Sequence, residues 1–133
     1  EVDRLEEIGD PGLFDSYGGR SLHDQSHGEA FLSLVLNRFT PRGLYLLDEP
    51  EAALSPSRQL ALLRQLHLLA GEGSQFIIAT HSPLLMALPG AAILSFEEGG
   101  AIRPTAYQET SHYRITRAFL EAPERVLREL LDE

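Results

Sequence analysis

Cysteine and lysine are both missing from the 133 residues. Without cysteine there are no disulfides and no thiolate zinc sites, and a reducing compartment is allowed. Without lysine the chain holds no phosphate-cradling loop of the form G-x-x-x-x-G-K-[ST], whose lysine reaches the outer phosphates. All eleven cations are arginine. Basic charge is scarce as well: 11 Lys+Arg stand against 20 Asp+Glu, a formal net charge of -9. That balance argues against this segment wrapping nucleic acid by itself and leaves the task to a basic partner surface. Apolar runs are short, none approaching the roughly 20 residues that cross a bilayer, and Glu1-Val2-Asp3-Arg4 is unlike a signal peptide. The expectation is a soluble, cytoplasmic chain with no membrane partner. Because it starts at Glu1 rather than methionine, it is also expected to be a piece of something larger.

What is present begins with Gly43-Leu44-Tyr45-Leu46-Leu47-Asp48-Glu49-Pro50. A greasy run fit for a strand covered on both faces ends in two adjacent carboxylates. Open α/β sheets place ligands just beyond the carboxyl ends of such strands. In phosphoryl-transfer sites one carboxylate holds Mg²⁺ and a second group orients the attacking water. The plain alternative is that Asp-Glu-Pro simply closes a strand, with two solvated acids and a proline that ends pairing.

The length and the 43% hydrophobic content fit one compact unit. Leu5 and Ile8 suggest the end of a helix broken by Gly9-Asp10-Pro11-Gly12, with a loop through Tyr17-Gly18-Gly19. Ser26 followed three residues later by Glu29 marks a capped helix start that leads into Ala30, Phe31, Leu32, Leu34, Val35 and Leu36. That helix is expected to end near Thr40-Pro41. After the strand from 44 to 48, Ser55-Pro56 reads as N-cap plus first-turn proline. Leu60, Leu63, Leu66 and Leu69 or Ala70 then recur at helical spacing as a core stripe, with Gly71 as the stop. Residues 75 to 80 form a second buried strand ending in His81 and Ser82, and Ser82-Pro83 opens a short helix. Residues 92 to 96 suggest a third strand, Glu98-Gly99-Gly100 a turn, and 101 to 107 a return strand that Pro104 confines to an edge. The tail from 112 to 131 carries two helices, Pro123 starting the second, whose apolar residues Tyr113, Ile115, Phe119, Val126, Leu127, Leu130 and Leu131 are expected to pack on the sheet. Alternating strands and helices predict an α/β fold with a parallel sheet flanked by helices and an antiparallel edge hairpin. In such a sheet the ends of the first two strands are neighbours, which brings Asp48, Glu49 and His81 to one rim.

These segments resemble the carboxyl-terminal half of an ABC-class ATPase, a partial P-loop NTPase fold. Leu44 through Glu49 is similar to the Walker B strand, Glu51-Ala52-Ala53-Leu54-Ser55 to the D-loop, Ile78-Ala79-Thr80-His81-Ser82 to the switch-histidine segment, and Ser26-His27-Gly28-Glu29 to a variant signature motif. Membrane transporters of the class usually carry L-S-G-G-Q and D-E-P-[TS], whereas Glu29 and Glu51 stand here. The run resembles more closely the soluble AAA/ABC-type ATPases grouped with the SMC, RecF and OLD kinds. The resemblance implies residues 1–133 as the C-terminal part of one ATPase domain, with a Walker A-containing half as a missing partner. It implies ATP and Mg²⁺ as cofactors, Asp48 on the metal through a water, Glu49 polarising the attacking water, and His81 on the γ-phosphate. Ser26, Gly28, Glu29 and Ser55 would meet nucleotide across a homodimer that sandwiches ATP. Nucleic acid is open to the whole protein but not through this segment.

Each role has a local competitor. Ser26 and Glu29 form a capping box on their own account. Gly28 costs a helix roughly 0.5 to 1 kcal/mol relative to alanine, which close approach of a phosphate would justify. His81 alone could cap the following helix. His23, His27, His67 and His112 share no metal-ligand spacing and suit solvated positions. Arg20 could touch phosphate or pair with Asp15 or Asp24. Glu6-Glu7 and Glu97-Glu98 are simplest as solvated patches. A transporter nucleotide-binding domain and a non-catalytic interaction module that kept the fold are the competing functions. Without the lysine loop, the chain alone is expected to bind ATP weakly or not at all.

Overall fold

The computed structural model describes residues 27–132, with side chains from Glu29 onward. Ser26 and its capping box lie outside the described residues, as do the expected helix end at Leu5 and Ile8 and the loop through Tyr17. Contacts group the chain into two units, Glu1–Thr80 and His81–Glu133, and each is taken by itself.

The first unit is an α/β layer. Helix α1 (His27–Arg38) starts at the expected place with Gly28 in its first turn and ends just short of Thr40-Pro41. Strand β1 (Leu44–Asp48) follows, then helix α2 (Pro56–Gly71) and strand β2 (Gln75–Ala79). β1 and β2 pair in parallel, Leu44 opposite Gln75 and Asp48 opposite Ala79, with α2 as the crossover that parallel pairing requires. Ser55 is the N-cap of α2: its side chain accepts from the backbone N–H of Arg58, and Pro56 occupies the first turn where a missing N–H costs nothing.

Packing in this unit rests on Ala30, Val35, Leu54, Leu62, Leu66 and Leu69, all buried. The expected core stripe of α2 is rotated: Leu62, Leu66 and Leu69 carry it, whereas Leu60 is 52% exposed. Both sets satisfy helical spacing, and leucine at 60, 62, 63, 66, 68 and 69 surrounds most of the helix, so periodicity alone does not choose the face. A layered aromatic cluster secures one side of the sheet. Phe39 stacks on Tyr45 at 4.0 Å between ring centroids, and Tyr45 lies 5.4 Å from its strand partner Phe76. The Tyr45 hydroxyl accepts from the Thr40 amide at 2.7 Å. Gly43 is demanded by this cluster, because a Cβ there would stand 2.4 Å from the Tyr45 ring. On the opposite face of the sheet, Leu44, Leu46 and Ile77 are 63%, 71% and 57% exposed.

The second unit begins with a single 3-10 turn, Leu85–Ala87, in place of the expected short helix. The Ser82 hydroxyl, three residues before it, accepts from the Leu85 amide at 3.2 Å. Strands β3 (Leu94–Phe96) and β4 (Ile102–Pro104) form an antiparallel hairpin with Leu94 opposite Pro104. This hairpin is a two-stranded sheet of its own, and the expected place for it as an edge of the parallel sheet is corrected accordingly. Each strand is only three residues long, and the hairpin ladder is extended at its two ends by Thr105 donating to Ile93 and Glu97 donating to Ala101. The return strand stops at Pro104, and a further 3-10 turn, Tyr107–Glu109, follows after two residues. Helix α3 (Ser111–Glu121) is capped by Thr110, and α4 (Pro123–Leu131) starts on its proline as expected. Their apolar residues are not buried: Ile115, Leu120, Leu130 and Leu131 are all exposed.

Candidate functional site

The acids of β1 stand where the sheet ends. Asp48 is the last residue of the strand, paired with Ala79, the last residue of β2. The Glu49 amide donates to the Ala79 carbonyl at 2.7 Å, which carries the ladder one bond further. Glu49 itself leaves the extended conformation with φ +46, a left-handed backbone that costs a side-chain-bearing residue about 1 to 2 kcal/mol. Pro50 cannot continue the ladder, and the chain winds into a turn in which Ala52 donates to Glu49 and Leu54 to Glu51. Both acids are exposed. The turn re-aims Glu49 relative to Asp48 in a way that simple strand alternation would not.

Two polar ties hold this rim. Thr80 Oγ1 donates to Glu51 Oε1 at 2.6 Å, linking the residue after β2 to the turn after β1. Arg58, on the first turn of α2, donates to the Glu29 carboxylate on the first turn of α1. Since the Arg58 amide also reaches the Ser55 hydroxyl, Glu29 and Ser55 are joined through one arginine. Glu29 thus has a visible packing role between two helix starts. The sequence singled out neither Arg58 nor the Thr80–Glu51 pair; partners 29 residues apart leave no local pattern to find.

His81 opens the second unit, two residues after β2 in sequence. Its Nδ1 lies 2.9 Å from Nε2 of His112, with ring centroids 5.1 Å apart. The solvated surface role expected for His112 is therefore corrected: it is half-buried in a side-chain pair. Among the described residues no three or more His, Asp or Glu side chains group as a metal cage. A single exposed carboxylate such as Asp48 nonetheless suits Mg²⁺, which keeps several waters and takes one or two carboxylates beside substrate phosphates. No helix among the described residues is long and apolar enough to cross a membrane.

Parallel strands joined by a helix, with two carboxylates at the carboxyl end of the first, form an α/β unit of the layout that places ligands beyond its strand ends. Residues 15–87, more than half of the chain, match the family described as "AAA domain, putative AbiEii toxin, Type IV TA system". The chain belongs to this AAA family, whose general activity is the binding and hydrolysis of nucleotide. The match spans every segment that carries the acids, the Ser55 cap and His81. No curated protein matches the chain.

Proposed function

We propose that this chain supplies the acid-bearing part of a Mg²⁺-dependent ATP-hydrolysing site of the ABC type. The observation that carries the reading is the end of β1: Asp48 in register with the last residue of β2, and Glu49 next to it in a strained backbone. Strain of this kind is retained where a side chain must be aimed. Asp48 would hold Mg²⁺ through a water; when bound, the ion neutralises charge on the β- and γ-phosphates. Glu49 orients the attacking water and accepts its proton. His81 donates a hydrogen bond to the γ-phosphate. Ser26 and the backbone at Gly28 would meet the nucleotide of a second protomer, the dipole of a helix amino end favouring an anion there. Ser55 and Glu29 hold the starts of α2 and α1 in place through Arg58.

The lysine-bearing phosphate loop comes from a partner segment outside these 133 residues, and two copies close on ATP as a homodimer. On this reading the 133 residues alone bind Mg·ATP more weakly than micromolar, and calorimetric titration measures it. The decisive experiment is Glu49→Gln in a protein that carries the whole nucleotide site. Loss of the proton acceptor lowers hydrolysis by about 10²- to 10⁴-fold while ATP still binds. Unchanged turnover removes Glu49 from the mechanism.

A further inference from the structure

We infer that His112 is a positioning residue for His81: its Nε2–H donates to Nδ1 of His81 and fixes the tautomer of that ring. The inference rests on the role proposed above for His81, and it is argued from the contact between the two rings. Two ring nitrogens at 2.9 Å need one proton between them. Each neutral imidazole carries a single N–H, so one ring donates and the other accepts. If His81 donated, both rings would be in the Nδ1–H form, the less favoured tautomer of histidine, and His81 Nε2 would hold only a lone pair. If His112 donates, both rings are in the favoured Nε2–H form. His81 then keeps its proton on Nε2, the nitrogen that can donate to a phosphate oxygen.

A second tie holds the two histidines in range. Tyr107 donates its hydroxyl to the carbonyl of Pro83, two residues after His81, at 2.6 Å. Tyr107 belongs to the turn that leads into α3, and its carbonyl accepts from Thr110 Oγ1 at 2.8 Å. Thr110 is the buried N-cap of α3 and accepts from the Tyr113 amide at 3.2 Å. Tyr107 and Tyr113 pack edge to face with centroids 4.9 Å apart. His112, the second residue of α3, is therefore carried on a helix start tied to the backbone beside His81. The pairing does not depend on the two side chains meeting by themselves.

The test is nitrogen-15 long-range correlation of the histidine rings in the 133-residue chain, at about pH 9, above the ordinary imidazole range. The wild type shows His81 as one tautomer with the proton on Nε2. His112→Gln, whose amide N–H still donates, keeps that pattern. His112→Ala shifts the His81 Nδ1 resonance toward the tautomeric average, with the backbone amide spectrum reporting that the fold persists. A wild-type His81 protonated on Nδ1, or ring shifts unmoved by His112→Ala, overturns the inference. No nucleotide enters these measurements. If the tautomer responds as stated but His81→Ala leaves hydrolysis unchanged in a protein with the complete site, the proposed role of His81 falls while its positioning by His112 stands.

Discussion

The Thr80 hydroxyl donates to the Glu51 carboxylate at 2.6 Å, and this bond joins the ends of two parallel strands at the level of the acids. Hydrogen bonds to charged acceptors contribute about 1.5 to 3 kcal/mol, and partial exposure places this one at the low end. Thr80→Val is expected to lower the unfolding free energy by about 1 to 2 kcal/mol in urea titration. Glu51→Gln is expected to cost less in that variant than in the wild type, because the interaction the two residues share is already gone. Full additivity would show that the pair is not coupled.

Glu49 predicts an inversion of the usual order of substitutions. Glycine normally destabilises relative to alanine, but at φ +46 it removes the clash that alanine keeps. Glu49→Gly is expected to be more stable than Glu49→Ala by about 1 kcal/mol in thermal unfolding. In the complete protein both variants are expected to lose hydrolysis, so stability and activity move apart. Equal stabilities would mean that the backbone is relaxed here.

Two leucines on α2 separate the buried face from the wet one. Leu62 is fully buried, and Leu62→Ala is expected to cost about 2 to 5 kcal/mol. Leu60→Ala, on the exposed side, is expected to stay within about 0.5 kcal/mol. Denaturant midpoints of the two variants measured side by side check the orientation of the helix.

Tyr107 makes a prediction about alkaline pH. Burial raises its phenol above the ordinary value, and neighbouring Tyr113 adds to the shift. The folded state thus favours the neutral form, which is also the form that donates to Pro83. That contribution is whole below the unfolded phenol value of about 10 and is lost as pH climbs through the higher folded value. Tyr107→Phe is expected to cost about 1 kcal/mol at neutral pH and to flatten the loss of stability above about pH 10. An unchanged alkaline limb in the variant would assign that limb to other groups.

Much of the local structure was legible in the residues themselves. The apolar run ending at Asp48, the Ser55-Pro56 cap and the Pro123 start each depend on neighbours in sequence, and each lies where the pattern predicts. The choice of buried face on α2 was not legible, because a helix rich in leucine on most sides has no single stripe. The hairpin was found but not its separateness, since three-residue strands announce a turn and say nothing about which sheet they join. The ties that shape the candidate site were invisible for a different reason. Thr80 with Glu51, Arg58 with Glu29 and His112 with His81 are all contacts across 29 to 31 residues. Such pairs are set by how the elements dock, and one sequence carries no trace of that.

Leu44, Leu46 and Ile77 line one side of a two-stranded layer and meet water there. A wetted aliphatic strip on a sheet that has only two strands among the described residues is a template for clumping. In dilute buffer the repulsion from nine surplus negative charges opposes the approach of copies through that strip. Salt shortens the reach of that repulsion, to about 3 Å at 1 M, so concentrated brine turns the same strip from tolerated to adhesive.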